Sequence, residues 1–151
     1  MDVVGIFNAI QSHAMTLGLF ETVCGHETVN APGHGLHYEI WAGPIGPIRG
    51  GSGLDITSAS VTIQGRVKVN TTRDPRDLVE TDLLYAVDRL ISEYTANFQL
   101  GLPGVRNIDV HGAYGLALSA RPGYISQSGD LFRVADITIP IICNDVWEQL
   151  P

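Results

Sequence analysis

Ile6, Ile10, His13 and Leu17 recur at steps of four, three and four, which places them on one face of a helix that Asp2 can cap and Gly18 can end. From Cys24 to Gly35 the stretch CGHETVNAPGHG has no period and many turn formers, predicting a loop. Leu36, Tyr38, Ile40 and Ala42 then alternate with His37, Glu39 and Trp41, the pattern of a strand with one buried face. A clearer alternation sets Val61, Ile63, Val67 and Val69 against Thr62, Gln64, Arg66, Lys68 and Asn70. Gly65 falls in the apolar register of that strand and marks either a bulge or the close approach of a helix. Between the two strands lies GPIGPIRGGSG, from Gly43 to Gly53, so the pair reads as a long β-hairpin with a flexible, protruding tip.

Asp74 before Pro75 predicts the start of a second helix, the carboxylate capping the first turn and the proline occupying its first position. Its core face is Val79, Leu83, Val87, Leu90, Tyr94 and Phe98, with Arg76, Glu80, Asp82, Asp88, Arg89 and Glu93 largely elsewhere, and Gly101 and Pro103 stop it. A short strand is expected around Val105 to Val110, and Ser128-Gly129-Asp130 signals a hairpin leading into a final strand from Leu131 to Cys143. Pro140 removes a ladder donor, which argues for an edge or a bulge there. The order helix, strand, strand, helix, strand, hairpin predicts an α+β fold: a largely antiparallel sheet with two helices packed on one face, residues 1–151 forming one domain.

Composition narrows the function classes. A formal charge of -7, with Lys68 the single lysine among nine basic residues, argues against a protein that gains affinity by neutralising phosphates. Charged residues make up 17%, below the usual quarter, which suits a surface that meets partners. No apolar run approaches the roughly 18 to 20 residues that cross a bilayer, so no membrane partner is expected. Cys24 and Cys143 are isolated, and Asp2 stands where a signal peptide carries basic residues, which together predict a chain made in a reducing cytoplasm. The two thiols pair only in a fold that brings them together; otherwise they act as small buried hydrophobes.

The candidate chemistry is thin. The glycine stretch lacks the Gly-Lys-Ser/Thr of a phosphate loop, and Gly51-Ser52-Gly53 is followed by Leu54, Asp55 and Ile56 where a dinucleotide fingerprint needs another glycine. His34 and His37, with His26 and Glu27 nearby, invite a metal reading, but no HExxH or cysteine pair accompanies them. No Gly-x-Ser-x-Gly elbow surrounds any serine. The carboxylates Glu80, Asp82, Asp88 and Glu93 belong to a solvated or interface face of a helix, and His13 to the core side of another. No catalytic residue, metal or cofactor is expected.

Two groups of stretches carry a resemblance. Asn8-Ala9-Ile10-Gln11-Ser12-His13-Ala14, Gly18-Leu19-Phe20-Glu21, Gly25-His26-Glu27 and Asn30-Ala31-Pro32-Gly33 lie before the first strand. Gly112-Ala113-Tyr114-Gly115, Gly123-Tyr124, Leu131-Phe132-Arg133-Val134, Ile137-Thr138-Ile139-Pro140 and Asn144-Asp145-Val146-Trp147 lie in the last third. Together they resemble the tail terminator (tail completion) proteins of long-tailed bacteriophages, over nearly the whole chain. The resemblance implies a structural virion protein, not an enzyme, at the head-proximal end of the tail, assembled in the cytoplasm of the host bacterium. It implies a homo-oligomeric ring of six that caps the tail tube protein, stops tube growth and offers a joining surface to the head connector or stopper protein. Genomic DNA then only passes through the lumen. A head-tail adaptor or stopper is the neighbouring alternative, and a small metal-dependent hydrolase using His26, His34 or His37 the remaining one.

Contact residues for such an assembly follow from loop position and chemistry. Gly43 to Gly53 is expected to reach a neighbouring subunit or the tube, with Ile48, Arg49, Gly50, Gly51 and Ser52 at its tip and Arg49 its only charge. Trp41 and Trp147 are candidate aromatic anchors. Arg73 and Arg76, flanking the start of the second helix, are expected to bridge subunits through Asp82 or Glu80 of a neighbour.

Overall fold

The computed structural model describes residues 1–30, 33–48 and 57–148. It is an α+β fold: a curled, mostly antiparallel six-stranded sheet carrying two helices. α1 (Val3–Thr16) begins at Asp2, whose Oδ1 accepts from the Gly5 N–H at 2.8 Å, and ends before Gly18, at φ +64°. It buries Ile6, Ile10 and Ala14, at the spacing of four expected of one face. His13 stands at the margin of that face, where Nδ1 meets Glu93 at 3.3 Å, and is not a core residue. α2 (Leu78–Ala96) starts later than the Asp74-Pro75 signal predicts. Pro75 belongs to a preceding turn, its carbonyl accepting from Leu78 N–H at 3.2 Å, and Asp77 is the cap residue without a side-chain bond. Val79, Leu83, Ala86, Val87, Leu90 and Tyr94 are buried, whereas Phe98 lies beyond the helix end and is 45% exposed.

The sheet runs β1 (Thr22–Cys24), β2 (Leu36–Pro47), β3 (Ala59–Asn70), β6 (Asp130–Cys143), and then β4 (Val105–Ile108), with β5 (Ser119–Gln127) also paired to β6. β1 was not expected; Thr22, Val23 and Cys24, at the start of the predicted loop and just before it, pair in parallel with His37–Glu39. It is too short to show a period. β2 and β3 form the long hairpin, and β2 extends through Pro47, so the first part of the glycine stretch is strand rather than tip. A register shift between Ala42 and Ile45 accommodates Gly43 and Pro44, which is how a proline can sit in a paired strand.

β6 is central, not an edge. It faces β3 from Ala59 opposite Cys143 to Asn70 opposite Phe132, while its other side is shared: β5 takes residues 130–138 and β4 residues 141–143. Pro140 falls at the handover between these two partners. Its carbonyl accepts from Asp109 N–H at 2.8 Å, and in an antiparallel strand the N–H and carbonyl of a residue point to the same side, so the missing donor falls in the gap. β5 and β6 join through Ser128 and Gly129, at φ +51° and +82°, the two positive angles of a tight hairpin turn.

Both helices pack on one face of the sheet, over Tyr38, Ile40, Val61, Ile63, Val67, Val69, Ala135, Ile137, Ile139 and Ile141. Gly65 lies within this layer without any bulge, opposite Ile40. The group approaching it is a tyrosine: a Cβ there would stand 2.5 Å from the Tyr38 hydroxyl. Cys143 is buried and Cys24 half-buried, and both are free thiols.

Candidate assembly surface

The second face of the sheet carries the polar registers of β2 and β3, and it is covered rather than open. Thr62, Lys68 and Asn70 on β3 and His37 and Glu39 on β2 are all buried. The sheet curls, so that the β1–β2 connection and the β5–β6 turn meet over it. Thr28 lies at the centre of that meeting. Its N–H and hydroxyl both donate to Glu39 Oε2, at 2.8 and 2.5 Å, and its carbonyl accepts from the Gln127 amide at 2.8 Å. Lys68, 1% exposed, donates to Thr28 Oγ1 at 2.8 Å and Gln127 Oε1 at 3.0 Å. Its Nζ also lies 2.7 Å from Glu39 Oε1, an ion pair without hydrogen-bond alignment at that oxygen. The lysine that composition singled out is therefore a structural cation, surrounded by acceptors from β2, β5 and the β1–β2 connection.

A row of alternating charge extends beside it. Glu39, Arg66, Asp136 and Arg121 stand opposite one another across β2, β3, β6 and β5. Arg66 grips Asp136 through Nε at 2.5 Å and Nη2 at 3.2 Å, and reaches Glu27 through Nη1 at 3.1 Å. Asp136 holds the Arg66 guanidinium protonated even more firmly than usual. Trp41 lies under that guanidinium, 5.1 Å from ring centre to carbon, so it is half-buried within its own subunit rather than a free anchor.

The loop end of the β2–β3 hairpin is where distant stretches converge. Ile48 N–H donates to the Ser58 carbonyl at 3.2 Å, and the Thr57 carbonyl accepts from both Val146 and Trp147 N–H, at 2.7 and 3.1 Å. Thr57 hydroxyl adds a bond to Asp145 at 3.0 Å. Arg106 on β4 closes the cluster, donating to Asn144 Oδ1 at 2.6 Å, Tyr114 hydroxyl at 2.9 Å and Ser58 Oγ at 3.4 Å. Buried Asp109 shapes the adjoining turn by accepting from Ala113 and Tyr114 N–H, both at 2.8 Å. Trp147 is 39% exposed at this end of the molecule.

The expected contact residues thus separate. Ile48 and Trp147 come together at the loop end of the hairpin, while Arg49, Gly50, Gly51 and Ser52 lie outside the described residues. Arg73 and Arg76 lie at the other end of the sheet. Within the chain, Asp82 pairs with Arg73 at 2.7 Å and Glu80 with Arg133 at 2.5 Å. Arg73 reaches Asp82 from the turn that precedes α2, and Arg133 reaches Glu80 from β6. Arg76 is exposed and makes no ion pair among the described residues. His37 is buried between Thr22 Oγ1 at 2.6 Å and the Gly33 carbonyl at 3.2 Å, whereas His26 and His34 are exposed. Among the described residues no three His, Cys, Asp or Glu side chains are grouped to hold a metal ion, and no helix is long and apolar enough to cross a membrane.

Sequence reasoning missed Thr28, Gln127, Arg106 and Asn144. Their roles depend on tying together remote stretches, Thr28 with Gln127 across 99 positions and Arg106 with Asn144 across 38, which no local period encodes. No family model matches the chain, and no curated protein matches it significantly.

Proposed function

We propose that this protein is a structural virion component that caps the head-proximal end of a phage tail tube as a ring, stops tube growth and presents the joining surface for the head connector. The observation that carries the reading is the convergence at the loop end of the hairpin. Gly112-Ala113-Tyr114-Gly115 and Asn144-Asp145-Val146-Trp147, two stretches that bear the resemblance, are tied by Arg106 to each other and to Ser58 at the loop end of the long hairpin. One surface at one end of the sheet then contains exposed Tyr114, Leu116 and Trp147 beside the hairpin. Exposed apolar and aromatic side chains grouped at one end of a sheet suit a docking surface.

The sheet edges favour side-chain contacts between copies over strand addition. Pro44 and Pro47 interrupt β2 beyond the part β1 covers, and Arg121 and Pro122 interrupt β5. A cyclic ring needs two different lateral patches on every subunit, and separated apolar sites meet that need. Exposed Val4 and Met15 lie on α1, and exposed Leu84, Tyr85, Tyr124 and Leu131 lie on or near α2 and the β5–β6 hairpin.

The test is tail length in particles assembled without the protein. Overlong tubes support termination; normal-length detached tails indicate an adaptor instead. In purified components, deleting Gly50 to Gly53 is expected to leave the melting transition of the monomer in place and to reduce docking to isolated tubes by at least tenfold. Docking at the wild-type level would remove the hairpin from the interface.

A further inference from the structure

We propose that copies of this chain join head to tail by inserting the Val29 loop of one into the cleft beside Phe98 of the next, with Glu27 of the first meeting Arg106 of the second. This rests on the ring reading and names the contact that builds it. Val29 is 86% exposed, the most exposed large apolar side chain among the described residues. The residue before it has its N–H, hydroxyl and carbonyl all held by side chains of β2, β3 and the end of β5. A buried Lys68–Glu39 pair is costly to desolvate, and here it immobilises the base of an exposed apolar tip. A tip ordered before contact loses less conformational entropy on docking.

The receiving site lies between the end of α2 and β4. Phe98, Ile108, Val110 and Ala113 form its apolar lining, with Arg106, His111 and Asp109 among the remaining wall residues, around about 510 Å³ of open cleft, and both Asp109 oxygens are occupied by the Ala113 and Tyr114 N–H groups. That volume accepts a loop tip rather than a single methyl group. Arg106 has neutral hydrogen-bond partners and no carboxylate in contact among the described residues, and two of its five N–H donors are unused. Glu27, two residues before Val29, is 53% exposed at its side chain and engages Arg66 through one oxygen. The second oxygen is available to a guanidinium. Apolar tip and acidic neighbour therefore match an apolar cleft and a cation with no carboxylate in contact among the described residues.

Loop and cleft cannot meet within one chain. The loop covers the polar face at the sheet end where β2 begins, next to Gln127. The cleft lies at the end of α2, on the helix-bearing side, beside β4 on the opposite edge of the sheet. A contact between these two different patches repeats from copy to copy, giving a closed ring or a filament.

The test is cysteine cross-linking in full-length protein carrying Cys24→Ser, with buried Cys143 left in place. Val29→Cys with Ala113→Cys should give, on mild oxidation, a ladder of linked species at least tenfold above either single variant. Unchanged melting of each variant excludes misfolding as the reason for a missing ladder. No ladder, or dimers formed equally well by Val29→Cys alone, overturns the proposal. A six-fold mass for the wild type without a ladder retires this contact and leaves the ring reading standing. A ladder in protein that does not cap isolated tubes supports the contact and counts against the tail role.

Discussion

Gly65 is the residue on which the core depends most visibly. Tyr38 fills the space a Cβ would take, stacks on Phe20 at 5.4 Å between ring centres, and lies 3.1 Å from the Tyr94 hydroxyl, which also reaches the Ile10 carbonyl at 3.2 Å. Two hydroxyl protons suffice for these two contacts, so neither buried oxygen is left alone. Gly65→Ala would push the ring from its place in a packed layer and is expected to cost about 1–3 kcal/mol. Urea unfolding reads it as a lower midpoint with the slope unchanged. The glycine itself was legible as a special position, because it broke an apolar register. Its partner was not, since either a bulge or a helix explained the same letter.

At the scale of elements, the β1–β2 connection is a strap fixed by a buried charge pair. Lys68→Met removes the cation from beside Glu39 and leaves a buried carboxylate without compensation, with an expected loss of about 3–5 kcal/mol. Adding Glu39→Gln should recover part of it, because the amide oxygen still accepts from Thr28 without a charge to desolvate. Hydrogen exchange at the Thr28 amide gives the local reading: fast in Lys68→Met, slower again in the double variant. The alternation in β2 and β3 predicted both strands, yet the burial of their polar sides came from the strap and the β5–β6 turn. The same limit explains α2, where the apolar period was correct but its start followed the preceding turn, not the Asp74-Pro75 signal.

For the whole molecule, the tyrosine pair couples stability to alkaline pH. Burial pushes Tyr38 and Tyr94 well above the ordinary tyrosine range. The folded state therefore keeps protons that the unfolded chain releases above about pH 10, and by linkage stability falls as pH rises past that point. Below it the contribution is fully present and constant. Denaturant titrations at stepped alkaline pH should show the decline, with the phenolate absorbance of these two residues appearing only as structure is lost. Stability unchanged through that range would mean the pair is not shielded from water. Tyr38 and Tyr94 join β2 to α2, and their contact with Ile10 brings in α1, so this one cluster reports on the packing of both helices against the sheet.

The sequence by itself determined the two helices, the β2–β3 hairpin, the β5–β6 turn and the apolar layer, because each is encoded by spacings within a few residues. Tertiary structure alone decided that Pro140 sits in a central strand, that Arg73 and Glu80 are engaged within their own chain, and that Lys68 is buried. It also decided that Arg106 ties the loop end of the hairpin to Asn144 and Tyr114. Those outcomes depend on which strand lies beside which and on how far the sheet curls. Both are fixed by contacts between residues remote in the chain, for which a local pattern holds no record.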